Sequence, residues 1–219
     1  MSQDGSPSKG STEGPRPQDP LHYERRFWGR GLSTVAGVDE AGRGPLAGPV
    51  VAAAVILPSE CCIDGATDSK RLAPGMREEL YERIFDRAAA IGIGAASVRE
   101  IDTLDILRAT ALAMDRAVRA LRIHPGHIVV DGLPVRDVEW DHEAVVKGDG
   151  RIHSVSCASI IAKVCRDRLM CRLARRYPRY RWDSNKGYGT PEHLRALREW
   201  GPSPHHRLTF RPSQTSLDL

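Results

Sequence analysis

Val38-Asp39-Glu40-Ala41-Gly42-Arg43-Gly44-Pro45-Leu46-Ala47-Gly48-Pro49-Val50 joins a strand end, a glycine-rich turn and a strand start. Thr34 to Val38 is short and rich in β-forming residues, and the glycines at 42, 44 and 48 follow at once. Val50 to Leu57 then runs apolar without interruption. Two strands this close leave no room for a crossover helix, so an antiparallel hairpin at the front of a mixed sheet is expected. Asp39 and Glu40 close its first strand, where charge beside a buried run is uncommon.

Downstream, Pro74 suits a first helical turn, and Met76, Leu80 and Ile84, with Tyr81, Phe85 and Ala88, form an apolar stripe at helical spacing. Ile91 to Val98 reads as a strand of small residues. Leu104, Leu107, Ala111, Met114, Val118 and Leu121 then repeat at steps of three and four, the clearest helix in the chain. His127 to Val130 is a buried strand ending at Asp131 and Gly132, and Glu143 to Val146 is another, ending near Asp149 and Gly150. A long helix follows His153, with Ala158, Ile161, Cys165, Leu169 and Leu173 inward and most basic residues outward, until Pro178 and the polar Asp183 to Gly189 loop break it. Thr190 and Pro191 cap and start a last helix, Glu192 to Trp200. This order implies an α/β layer with a C-terminal helical appendage. Ser2 to Pro20, mostly Ser, Gly and Pro, cannot bury enough apolar surface to fold, so folding is expected from about Leu32.

The chain has 219 residues, enough for one domain with a buried core. Its longest apolar run, Val50 to Leu57, falls well short of the roughly 20 residues of a membrane span. The N-terminus lacks a secretion-signal core, and a cytoplasmic protein is expected. Five cysteines without a CxxC pair give no zinc site. Formal net charge is only +4, yet Lys163 to Arg181 holds eight Lys or Arg against the single acid Asp167. On charge alone a solvated helix face is the better reading, although a basic stretch against an acidic remainder also suits a polyanion held beside a metal site.

Asp39, Glu40, Asp131 and Asp149 all fall at or after strand ends. Any single acid there is more often a solvated cap, so only the constellation points to chemistry. Two carboxylates about 5 Å apart repel by roughly 3 kcal/mol at an effective dielectric near 20, which a divalent cation would relieve. Oxygen donors without nearby Cys or His select Mg2+ or Mn2+, and two such ions about 4 Å apart can drive in-line phosphoryl displacement. One obstacle stands: Asp39 and Glu40 are neighbours, and strand neighbours point to opposite faces unless the strand ends or distorts there.

The opening stretch closely resembles the signature of the ribonuclease HII family. Asp68-Ser69-Lys70, Val130-Asp131-Gly132, Lys147-Gly148-Asp149, Ser156-Cys157-Ala158-Ser159-Ile160-Ile161-Ala162-Lys163-Val164 and Asn185-Lys186-Gly187-Tyr188-Gly189-Thr190 resemble its later motifs in the same order. The resemblance runs from about Thr34 to Arg211; Cys157, where the family often has Ala, and the N-terminal extension depart from it. It implies a ribonuclease H-like fold, a five-stranded mixed sheet flanked by helices. It divides the chain into a disordered tail (1–31), a catalytic domain (32–183) and a C-terminal helical extension that completes the substrate groove (184–219).

By the same resemblance, Asp39, Glu40, Asp131 and Asp149 hold Mg2+ or Mn2+, two ions in the catalytic complex. Gly42, Arg43 and Gly44 read the ribose 2'-hydroxyl through the backbone, Tyr188 packs on the adjoining sugar, and Lys70, Lys163 and Lys186 meet phosphates. The implied substrates are RNA-DNA hybrids and DNA duplexes with embedded ribonucleotides, cut 5' of the ribonucleotide to leave a 3'-hydroxyl and a 5'-phosphate. A monomer is implied. A glycine-flanked loop can bring backbone close to a ligand, and the 2'-hydroxyl is the local mark of RNA.

Three other readings compete. A dinucleotide fingerprint needs its third glycine three positions after the second, followed by a helix, whereas Gly48 lies four after Gly44 and Pro49 leads into a strand. A non-catalytic phosphate binder has no use for four carboxylates. A junction resolvase would share the fold but not the Gly-Arg-Gly loop and Tyr188.

Overall fold

The computed structural model describes residues 19–210. The tail expected before residue 19 lies outside them, but its expected extent to residue 31 is corrected: α1 (His22–Trp28) is a helix with Tyr23, Glu24 and Phe27 buried. Phe27 stacks on His127 at 3.8 Å and joins Val35, Val129, Ile152 and Val155 in a small core. A seven-residue helix carrying Arg25 and Arg26 is too short and too charged for periodicity to reveal.

The expected mixed sheet is present, with strand order β3-β2-β1-β4-β5. β1 (Val35–Ala41) and β2 (Val50–Ile56) form the antiparallel hairpin, and β3 (Ala90–Ala96) pairs antiparallel with β2. β4 (His127–Asp131) runs parallel to β1, and β5 (Glu143–Val145) parallel to β4. Between β2 and β3 lies α2 (Pro74–Arg87), which buries Leu80 and Ile84 while Met76 and Phe85 stay exposed.

The helix expected over Leu104 to Leu121 is α4 (Ile106–Arg119), while Leu104 itself ends a separate, unexpected helix, α3 (Val98–Leu104). Asp105 separates them at φ 78°, and its carboxylate caps α4 by accepting from the N–H groups of Leu107 and Arg108. The stripe of large residues misled because the face that packs on the sheet centres on Ala109, Ala113 and Ala117, whereas Leu107 is 64% exposed. Small residues there let α4 lie close over Ala36, Val38, Ala52 and Ala54.

α5 (His153–Arg176) covers the opposite face, packing Ala158 and Ile161 on Ala53 and Val55. Gly37 permits this contact: a Cβ on it would lie 2.2 Å from the carbonyl carbon of Ser154. The start of α5 is thereby pressed against β1. The chain ends in α6 (Trp182–Asn185) and α7 (Pro191–Trp200), which share a core of Ala47, Met170, Ala174, Tyr180, Trp182 and Ala196. Ala47 also bridges His206. The expected C-terminal helical appendage is thus present in α6 and α7, and through Ala47 and His206 it packs against the glycine loop.

Candidate active site

Topology places the acids. Val38 pairs with Val130 on parallel strands, so the next residues, Asp39 and Asp131, emerge side by side at one sheet edge. Asp149 lies in the helical turn Gly148–Gly150, one step before α5. Lys147 takes a left-handed φ of 59°, and Asp131 Oδ1 accepts from the Gly148 N–H at 2.7 Å, fixing that turn to the end of β4. Ser156 Oγ donates to the Asp149 carbonyl at 2.7 Å. Asp39, Asp131 and Asp149 each bring a carboxylate oxygen within 4.8 Å of the other two.

The cluster is electrostatically strained. Burial, then the charges of Glu40 and Asp131, push the Asp39 carboxyl well above the usual range. Burial and Asp131 raise Asp149, against the pull of Lys70. Lys70 is carried in by a short turn capped by Asp68, and its Nζ stands 3.7 Å from Asp149 Oδ2. Burial alone would lower the Lys70 pKa, but Asp39, Asp149, Asp68 and Asp131 together raise it. A desolvated, all-oxygen set of mutually repelling carboxylates fits a hard divalent cation.

Glu40 does not join the three. β1 keeps its pairing through Ala41, so alternation holds and Glu40 leaves the face that Asp39 occupies. Its Oε1 instead accepts from Arg43 Nη1 at 3.2 Å. Burial raises its pKa, with Asp131 adding to the shift, so it remains in the cluster's field.

Gly42 and Gly44 differ in kind. Gly42 has φ +97°, and a Cβ there would fall 1.9 Å from Arg166 Nε. Gly44 has no such backbone, and a Cβ would meet only the Tyr188 ring edge at 3.8 Å. The interior therefore does not require glycine at 44, and the space lies on the exposed side. Tyr188, half-exposed, stands beside that space. Lys186 lines a surface cleft of about 400 Å³ with Arg77, Arg168, Arg172 and Arg175. Lys163 is not brought to the acids: its Nζ pairs with Asp167 Oδ1 at 2.8 Å.

Two buried arginines went unread in the sequence. Arg166 and Arg207 are 1% and 2% exposed, and both donate to carbonyls of the glycine loop. Most basic residues of α5 do face outward, as expected; Arg166 is the exception. A signal was available, since Val155, Ser159, Ala162 and Met170 bracket it at buried-stripe spacing.

A family model described as Ribonuclease HII matches residues 36–213. The Ribonuclease HII of Thermosynechococcus vestitus is 52% identical over 196 residues, covering 88% of this chain and 91% of that protein. That of Bacillus licheniformis is 49% identical over 190 residues, covering 87% and 74%. Among solved structures, the ribonuclease H2 of Pyrococcus horikoshii superposes with a TM-score of 0.69 at 30% identity, covering 81% of this chain and 94% of that one. With its sheet order, its convergent acids and these likenesses, the chain belongs to the ribonuclease HII family, metal-dependent nucleases that hydrolyse the RNA of RNA-DNA hybrids.

Proposed function

We propose that this protein, besides cutting hybrids, nicks duplex DNA on the 5' side of an embedded ribonucleotide, leaving a 3'-hydroxyl and a 5'-phosphate. The observation that carries this reading is the convergence of Asp39, Asp131 and Asp149 within 4.8 Å. These three would hold the metal, two Mg2+ or Mn2+ ions in the catalytic complex, with Glu40 as the fourth acid alongside. When bound, such ions ease the ionisation of water near neutral pH and offset the charge that builds on the phosphate.

The chain's own groups orient the strand. The unobstructed side of Gly44 lets backbone approach the ribose, and Tyr188 offers an apolar ring beside it. Lys70 and Lys186 carry charge suited to phosphates, and Lys186 continues into the cleft lined by Arg168, Arg172 and Arg175. Lys163, once released from Asp167, is a third phosphate contact. The protein works as a monomer. Bacterial relatives and five free cysteines support a cytoplasmic setting.

The test is incubation with a DNA duplex carrying one ribonucleotide, with and without Mg2+ or Mn2+, mapping the cut by sequencing-gel mobility. A single metal-dependent nick 5' of the ribonucleotide is expected. Cutting only in long hybrids would remove the embedded-ribonucleotide assignment.

A further inference from the structure

We infer that Arg207 and Arg166 are positioning residues that hold the glycine loop in its ribose-reading shape; this rests on the loop's role proposed above. Arg207 donates through Nη2 to the Gly42 carbonyl, through Nη1 to that of Arg43 at 2.8 Å, and through Nε and Nη2 to that of Gly48 at 3.0 and 2.8 Å. Arg166 donates to the carbonyls of Pro49, Lys186 and Ala47 at 3.0, 3.0 and 3.1 Å. The Arg207 N–H adds the Leu46 carbonyl at 2.9 Å. Between Gly42 and Pro49, only Gly44 and Pro45 keep their carbonyls out of this arrangement.

The consequence follows from peptide planarity. In a trans peptide the N–H points opposite to the carbonyl of the preceding residue. With the carbonyls of Gly42 and Arg43 turned to Arg207, the N–H groups of Arg43 and Gly44 point away from it. Neither has a partner among the described residues, and both residues are exposed. Two preset donors thus stand beside the open side of Gly44 and the Tyr188 ring, where a ribose hydroxyl oxygen could accept.

Burying two guanidiniums near each other, with no carboxylate bound to either among the described residues, is costly for a fold that needs only a turn. Carbonyl dipoles offset that cost, and a planar five-donor fork is what grips several carbonyls at once. Lysine keeps the charge but cannot reproduce the fork. The acids belong to β1, β4 and the turn before α5, so the loop's shape and the metal cluster are separable.

The test uses Arg207→Lys and Arg166→Lys, read by metal-free equilibrium binding of fluorescent duplexes, one all-DNA and one with a single ribonucleotide. Wild-type protein should prefer the ribonucleotide duplex. In either variant that preference should fall severalfold, up to about tenfold for one lost hydrogen bond, with all-DNA affinity within about twofold. A preference unchanged in folded variants would overturn the positioning role alone. Absence of preference in the wild type would overturn the loop's role as ribose reader, and the arginines' role with it. Loss of the cooperative thermal transition in both variants would make the arginines supports of the fold and would also overturn it.

Discussion

His193 and His206 meet Nε2 to Nε2 at 2.9 Å, and one arrangement of protons satisfies both. His193 Nδ1 lies 2.8 Å from the Tyr188 carbonyl and must carry hydrogen to bond it, leaving Nε2 to accept from Trp182 Nε1 at 3.1 Å. His206 Nδ1 accepts from the Ser203 N–H at 2.8 Å, so its Nε2 carries hydrogen, and the single lone pair of His193 Nε2 is shared between that donor and Trp182 Nε1. Both rings are neutral, and the chain position of Tyr188 depends on them.

Acid should therefore loosen the segment around Tyr188. Burial, then the neighbouring His193, pushes His206 down to about 4, and burial lowers His193 as well. The unfolded chain protonates these rings near pH 6.5. Between about pH 6.5 and 4 it binds more protons than the folded protein, so stability falls as pH drops through that window. At pH 5 the loss from His206 is on the order of 2 kcal/mol. Metal-free denaturant melts at pH 7 and pH 5 should show it, and His206→Gln should lose less between the two. An equal loss in both proteins would refute the network.

Neutralising one acid should separate chemistry from folding. Asp131→Asn keeps the Oδ1 that accepts from Gly148, and Asp39→Asn keeps an acceptor for the Glu40 N–H. Each relieves repulsion in the metal-free cluster, so its melting temperature should match or exceed that of the native protein. Metal-dependent cleavage should fall at least about a thousandfold, as expected when several kcal/mol of charge stabilisation is lost. The rise in melting temperature on adding Mg2+ should shrink, as also for Asp149→Asn. Near-native turnover by Asp39→Asn would remove the assignment.

The sheet was legible because its signals are local: Val50 to Leu57 is apolar end to end, and Asp131 follows a buried run. The convergence of Asp39 and Asp131 then follows from parallel pairing of β1 with β4, which spacing alone cannot specify. The sequence also exposed the doubt over Glu40, and strand alternation decided it against membership in the close triad. α1 was hidden by its shortness and charge, and Arg166 only by its residue type on a stripe whose spacing marked it as buried, but what holds each of these, and Arg207, in place could not be read locally. Their apolar or hydrogen-bonding partners are distant in sequence, as with Phe27 and His127, or Arg207 and Gly42.

The glycines of the loop should respond oppositely to alanine. Gly42→Ala combines a left-handed φ with a Cβ 1.9 Å from Arg166 Nε, and should destabilise by about 1–3 kcal/mol or more. Gly44→Ala adds a methyl group at ordinary contact distance from Tyr188, so its thermal melt should match the native one. Its cost should appear as a lower kcat/KM on ribonucleotide-containing duplexes. Full activity in Gly44→Ala would show that no ligand group enters the space.

Lys70 tests how the cluster divides its charge between lysine and metal. Its Nζ lies 3.7 Å from Asp149 Oδ2, on a side chain 77% exposed, so the attraction is heavily screened. If it only balanced the acids, Lys70→Met would tighten Mg2+ binding and leave the substrate KM unchanged. A lysine that also meets a phosphate gives a different pair of results: the Mg2+ dissociation constant falls a few fold, because a competing cation is gone, while KM rises in low salt and converges with the native value as salt is added. We expect the second pair, measured by metal titration of the melting temperature and by steady-state kinetics at two salt concentrations. A KM unmoved at low salt would leave Lys70 as a counter-charge to Asp149 and nothing more.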